Sequence, residues 1–369
     1  NLIRHQFKNS VAVREKSFEV RGSRLGLEAI KAEIKFVREN IRYRDIRFGG
    51  HSLIPQTAET TLKERSGDCK DQSLLLKEML DAIGVKSKLV AIHLTEAGFE
   101  SLPSIQQFNH MMLYIPKGEK NPEMWVDPSD KAGNDRPVPL DMEGKVALIV
   151  DGDSSRVAVT PVLEDEKEHQ VFLYHRLHIA ADGSAEFRDS LCLTGKFASA
   201  LRNKLYGRDA KEDEDLVLGL LSQGVPDVSI SQVKTENVTD FDKPLKLIVT
   251  FTSKHYFGKS SDGFKGHYPN IWERTIMHLP KVRVRYLPIR MPHETEFTSV
   301  LNVTADGKDL VVKNVPAFNS EPEYVSYEKI NGGYKWTTFA IYADPSEYDK
   351  IRAEWEYLLS ATSPEITVK

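Results

Sequence analysis

Three residues able to carry out acyl transfer occur in order along this chain. Cys69 sits in Arg65-Ser66-Gly67-Asp68-Cys69-Lys70-Asp71-Gln72-Ser73, His110 in Asn109-His110, and Asp127 in Trp125-Val126-Asp127-Pro128. Thiol chemistry needs thiolate, and an ordinary cysteine is mostly protonated at neutral pH. A helix start helps, because its free N–H groups and dipole end favour negative charge. That help is modest, so a neighbouring imidazolium must supply most of the activation. His110 is the candidate base: it opens the alternation His110, Met112, Tyr114, which shares one face of a strand, with Asn109 on the other. Asp127, ending a short strand before Pro128, would orient the imidazole through its second nitrogen. Strands about 5 Å apart would bring the two within reach in the right register.

These residues need elements to hold them. Ile30, Ile34, Val37 and Ile41 recur at helical spacing, which predicts a helix over about 25–42 with Ser23 as its start signal. Its stripe should pack on a second helix running from about Asp68 to Ile83. There Leu75, Leu76, Met79, Leu80 and Ile83 make a broad apolar face, and Gly84 is the stop. Gly67 lets the chain bend sharply into that helix, leaving room for a substrate backbone. Strands are expected at 86–93, 108–115 and 124–127. One helix followed by three strands implies an α+β domain with the helix against an antiparallel sheet.

Residues 131–168 read as turn-rich and polar, with the acidic run Glu164-Asp165-Glu166. The domain junction is placed at 160–168, giving a first domain over 1–163 and a second over 164–369. In the second, Asp182-Gly183, Asp306-Gly307 and Asn331-Gly332 each separate apolar runs as hairpin signals. Strands are expected at 171–179 and 245–251, and helices at 197–205, 216–221 and 346–359. Tyr348, Ile351, Trp355 and Leu358 share one face of the last helix. The second half is therefore mostly β with a few helices.

At 369 residues, two domains are the prior expectation. A net charge of −4 gives no electrostatic case for nucleic acid. The positive run at 281–285 reads as a solvated strand face. No stretch approaches the roughly 18 apolar residues of a membrane span, and the first ten residues lack a signal-peptide core. The two cysteines, Cys69 and Cys192, form no CxxC pattern, and Cys192 reads as a small apolar residue in a buried strand. His51 and His93 lack metal-ligand spacing, so no metal or cofactor is expected. Trp272-Glu273-Arg274 and Tyr286 read as core and rim of the β domain.

Gly67-Asp68-Cys69-Lys70-Asp71, followed by Leu74-Leu75-Leu76, Met79-Leu80 and Ile83-Gly84-Val85, resembles the core of bacterial transglutaminase-like proteins. Phe108-Asn109-His110 and Trp125-Val126-Asp127-Pro128-Ser129 resemble its second and third motifs, and Ile41-Arg42-Tyr43 is also of that type. The resemblance covers about residues 25–129. It implies a papain-like fold and carries the nucleophile to Cys69, the general base to His110 and the orienting acid to Asp127. The remainder resembles the β-rich domain after such cores in large bacterial envelope proteins. In those proteins a further β domain often precedes the core, which here implies a fragment or a trimmed product, periplasmic or secreted.

The expected chemistry is attack of the Cys69 thiolate on an amide carbonyl of a peptide or protein substrate. A thioester forms, which water or an amine discharges. The backbone N–H of Cys69 is the expected first oxyanion donor, and the Gln56 side chain the second, unless Gln56 is merely a turn residue. The loop between Leu94 and Gln107 is the expected specificity element. The alternative is a catalytically silent binding or scaffold protein that retains the core.

Overall fold

Asp68 starts the central helix. Its side chain accepts from the N–H groups of Lys70 and Asp71, while the Asp71 side chain reaches back to the N–H of Asp68. This reciprocal cap satisfies helix-end donors that otherwise lack partners. The computed structural model describes residues 6–44, 54–94, 101, 104–131, 133, 136–163, 168–261, 263–277, 285–286, 288–306, 309–313 and 322–369. The chain divides into two compact units, residues 1–164 and 165–369.

The first unit runs α1 (Val11–Arg21), α2 (Leu27–Asn40), β1 (Arg42–Tyr43), α3 (Ala58–Glu64), β2 (Ser66–Gly67) and α4 (Cys69–Ala82), then β3 (Lys88–Ile92), β4 (His110–Ile115), β5 (Met124–Val126), β6 (Val146–Val150) and β7 (Arg156–Val159). The last five strands make one antiparallel sheet in the order β5-β4-β3-β6-β7. Leu74, Leu75, Leu76, Met79 and Leu80 of α4 are fully buried. They pack with Ile30, Ile34, Val37 and Ile41 and with Leu113, Ile115, Met124 and Val126 of the sheet. Each such side chain contributes about 1.5–3 kcal/mol on burial, which fixes α4 as the centre of the unit.

Several expectations need correction. α2 begins at Leu27, not near Ser23, because the chain enters it through Gly26 at φ 56°, which a side chain would strain. The segment read as turn-rich from Lys131 contains β6 and β7, and Val138 and Met142 from it cover the far face of the sheet. The helices α1 and α3 were not read at all. His51, the run 281–284 and most of the loop between Leu94 and Gln107 lie outside the described residues.

The second unit runs β8 (Gln170–Ile179), β9 (Ala185–Leu193), α5 (Gly195–Leu205), α6 (Ala210–Leu221), β10 (Val228–Glu236), β11 (Leu245–Ser253), β12 (Gly258–Ser260), β13 (Gly263–His267) and α7 (Ile271–Ile276). It continues β14 (Ile289–Met291), β15 (Thr295–Ala305), β16 (Leu310–Lys313), β17 (Val325–Ile330), β18 (Gly333–Thr338), β19 (Ile341–Ala343), α8 (Tyr348–Ala361) and β20 (Glu365–Val368). Seven strands form its main sheet in the order β10-β11-β9-β8-β15-β18-β17, where β8 and β15 alone run parallel among the described pairs. β8 and β9 are joined through Asp182-Gly183, and β17 and β18 through Asn331-Gly332. Gly307 lies outside the described residues, and the strands on either side of the Asp306-Gly307 signal do not pair with each other: β15 pairs with β8 and β18, and β16 with β20 in another sheet.

Tyr348, Ile351, Trp355 and Leu358 of α8 are buried in this unit's core, on the face the spacing predicts. Cys192 lies on β9, but Leu191 and Leu193 take the core positions and leave its side chain half-buried on the opposite face. Trp272 and Glu273 are buried and Tyr286 is exposed.

Inside the core His175 stands directly across from Asp189. Its Nδ1 is 2.9 Å from Asp189 Oδ1 and its Nε2 3.2 Å from Glu273 Oε1. Trp272 Nε1 donates to Asp189 Oδ2 at 2.6 Å, and Ser299 Oγ to Glu273 Oε1 at 2.8 Å. Burial disfavours the imidazolium, yet Glu273 and Asp189 outweigh it and hold His175 at about 10. A buried charge of this kind persists only when paired and hydrogen-bonded.

Candidate active site

Cys69 is the first residue of α4, one turn before Ser73, whose Oγ donates to the Met111 carbonyl at 3.0 Å. That bond ties the first turns of α4 to the start of β4, where His110 is the first residue. His110 Nε2 is 2.6 Å from Asp127 Oδ2, and both side chains are buried. The sheet register accounts for this. Leu113 pairs with Val126 and Tyr114 with Trp125, so His110 shares the parity of Tyr114, and Asp127 that of Trp125. With Nε2 committed to Asp127, Nδ1 remains for the thiol.

The electrostatics follow from this pairing. Burial opposes a charge on His110, but the Asp127 carboxylate and then Cys69, through hydrogen bonding and charge, hold the imidazole well above its ordinary range. Burial likewise opposes ionisation of Asp127, yet His110 and Ser129 bring its carboxyl down to about 2. Ser129 contributes two donors to Asp127 Oδ1, its N–H at 2.8 Å and its Oγ at 2.7 Å.

The helix cap determines which donors remain. It uses the N–H groups of Lys70 and Asp71, and the Asp68 N–H goes to Asp71 Oδ2. The N–H of Cys69 has no partner among the described residues and sits at the positive end of α4. Gln56 is held at the same turn. Its N–H donates to Asp71 Oδ1 at 2.9 Å and its Nε2 to the Ser66 carbonyl at 2.9 Å. A side-chain amide has two hydrogens, so the Ser66 bond leaves a second for another acceptor. Burial raises the Asp71 carboxyl, and the charge of Asp68 adds to the effect. Lys70 Nζ pairs with Asp68.

Gly67 has no space for a side chain: an added Cβ would lie 2.6 Å from Asp71 Cβ. Asn109 does not join this group. Its Oδ1 accepts from Leu94 N at 2.9 Å, and its Nδ2 is 3.2 Å from His93 Nε2.

Sequence reasoning missed Arg38, Gln72, Ser129 and Lys131 as parts of this site. Arg38 Nε and Nη2 donate to the Asp127 carbonyl at 3.3 and 3.1 Å, and Nη1 to the Gly133 carbonyl at 2.9 Å. Only Ser129 carried a local signal, since Asp-Pro-Ser is a turn text in which side chain and backbone bond two residues apart. Among the described residues no group of three or more His, Cys, Asp or Glu could hold a metal ion, and no helix is long and apolar enough to cross a membrane.

Residues 15–112 match the family model of the transglutaminase-like superfamily. That span contains Cys69 and His110 and stops before Asp127. Among solved structures, the chain is similar to a protein called a putative protease from Parabacteroides distasonis ATCC 8503. The two share 10% identity at a TM-score of 0.43, over 97% of this chain and 55% of that one. It is also similar to a protein called a putative cysteine protease from Cytophaga hutchinsonii, at 16% identity and a TM-score of 0.27, over 44% of this chain and 55% of that one. The chain thus spans about 55% of the length of each. No curated protein matches it.

Proposed function

Residues 15–112 form a domain of the transglutaminase-like superfamily, and on that premise we propose that the protein is a cysteine hydrolase of peptide or amide bonds. The observation that carries this reading is the buried His110–Asp127 pair beside Cys69, at a helix start whose first N–H has no partner among the described residues.

The thiolate of Cys69 attacks the amide carbonyl, and its electron pair forms the C–S bond while the carbonyl oxygen takes the negative charge. The Cys69 N–H and one hydrogen of Gln56 Nε2 donate to that oxygen. On collapse the C–N bond breaks, and the His110 imidazolium gives its Nδ1 proton to the leaving amine. Neutral His110 then takes a proton from water, which attacks the thioester, releases the acid and restores the thiolate. Asp127 stays ionised throughout and keeps the imidazole oriented.

Incubation with a peptide library, with and without a primary amine, tests the proposal. Cleavage should occur with the wild type and a Cys69-bound acyl group should be trapped by mass spectrometry, both absent from Cys69→Ala. Incorporation of the amine at the expense of cleavage would make the enzyme a transamidase. Neither reaction with any substrate would favour a silent scaffold. By the resemblance to envelope proteins, we place the enzyme in the bacterial periplasm or outside the cell; recovery from the cytoplasmic fraction of its source would refute this.

A further inference from the structure

Asp127 and Cys69 belong to different layers, a strand end and a helix start, so something must hold the two segments in step. Ser73 ties α4 to β4, but it does not reach the segment after β5. Two cations on or near that segment bond to backbone of the first unit. Arg38 grips the Asp127 and Gly133 carbonyls from α2. Lys131, four residues after Asp127, sends its Nζ to the Ile41 carbonyl at 2.6 Å and to Gln72 Oε1 at 2.9 Å. Gln72 has no exposed surface, and its Nε2 donates to the Gly67 carbonyl at 2.9 Å.

We propose that Lys131, acting through Gln72, is a positioning residue that holds the Gly67 turn, and with it Cys69, in register with the segment carrying Asp127. The proposal rests on the acyl-transfer reading above and names a part of that same site.

The chemistry of each link supports it. Gln72 is the fourth residue of α4, where its own N–H already closes on the Asp68 carbonyl. Its side chain is therefore not needed to make the helix. Instead it orients as a two-ended connector, accepting at Oε1 from an ammonium and donating at Nε2 to a carbonyl. Ile41 is the residue just past α2, its N–H closing on the Val37 carbonyl, so its own carbonyl lies at the negative end of the helix, a position that favours a cation. Two residues past Gly67 comes the nucleophile, so a shift of this turn moves the thiol against an imidazole fixed in the sheet. A misplacement of about 1 Å can cost on the order of 100-fold in rate. Burial, opposed by Asp127 and then reinforced by Arg38, brings the Lys131 ammonium down to about 8, while Asp130 opposes the change. Above that pH the amine keeps two hydrogens but loses charge assistance, and the tie weakens.

The test is the rate of Cys69 alkylation by iodoacetamide in the full chain, measured by mass spectrometry between about pH 5 and 9, with far-UV circular dichroism alongside. Lys131→Met and Gln72→Met should each slow Cys69 at pH 7 by about tenfold or more, and move the rise in rate to higher pH. Their double variant should be no slower than the worse single one. Lys131→Arg, which keeps the charge and donors, should return the rate to within about threefold of wild type. A merely structural role would lower the melting temperature and leave the pH profile of the folded protein in place; that result overturns the proposal. If Lys131→Met does not fold, Gln72→Met and Lys131→Arg carry the same comparison. Fast wild-type labelling with unaffected variants overturns this inference alone. A wild-type Cys69 no faster than Cys192 overturns the acyl-transfer reading and this inference with it.

Discussion

His110 Nε2 and Asp127 Oδ2 are 2.6 Å apart in a buried pair at the end of the first unit's sheet. The contact fixes which ring nitrogen faces the thiol and keeps the imidazole charged where burial alone would discharge it. His110 should therefore serve as acid before it serves as base.

Removing these groups should separate their roles. His110→Ala loses proton transfer outright and should lower turnover on the order of 10²–10⁴-fold. Asp127→Asn acts through His110, so its loss should be smaller at neutral pH and steeper as pH rises. Steady-state turnover against pH for both variants checks this. Equal losses at every pH would contradict it.

The pair also makes stability depend on pH. Asp127 is held at about 2 against an ordinary 3.8, so its contribution is present above pH 3.8 and lost as pH falls toward 2. His110 is raised above 6.5, so its contribution is complete below 6.5 and lost as pH rises through the raised value. The melting-temperature gap between wild type and Asp127→Asn should therefore shrink from about pH 5 to pH 2. A constant gap would show that the pair does not supply it.

Gly67→Ala should destabilise the first unit by about 1–3 kcal/mol through overpacking. The new Cβ meets Asp71 Cβ at 2.6 Å, and Asp71 is the acceptor for the N–H groups of both Gln56 and Asp68. Urea unfolding of Gly67→Ala measures the cost, and a wild-type midpoint would refute the clash.

Much of this site was legible because its signals are local. The helix start near Asp68, the apolar run from Leu75 to Leu80 and the alternation from His110 to Tyr114 each stand in a short window. α1 was not legible, since only Val13 and Ser17 of its eleven residues are buried, and Ser17 is held by Glu33 and the Met79 carbonyl. β6 was hidden because an apolar run among turn residues gains its strand partner, β3, from far upstream. Arg38 and Lys131 had no local signal: each reaches a backbone carbonyl about 90 residues away, which has no sequence signature, and the other acceptor of Lys131, Gln72 Oε1, lies 59 residues upstream.

The second unit should fail in alkali before it fails in mild acid. His175 is held at about 10 by Glu273 and Asp189, so its contribution is complete below about 6.5 and is lost as pH rises through about 10. Glu273→Gln should bring this loss to lower pH, and melting curves from pH 7 to 11 would show it. Identical alkaline profiles for wild type and variant would contradict the pairing.

Competitive alkylation of the two cysteines tests the central claim most directly. Cys69 and Cys192 are both half-buried, so neither is an openly exposed thiol. At pH 7 Cys69 should react at least about tenfold faster than Cys192, and His110→Ala should abolish the difference. Equal, slow labelling of both thiols in the folded wild type would contradict the account.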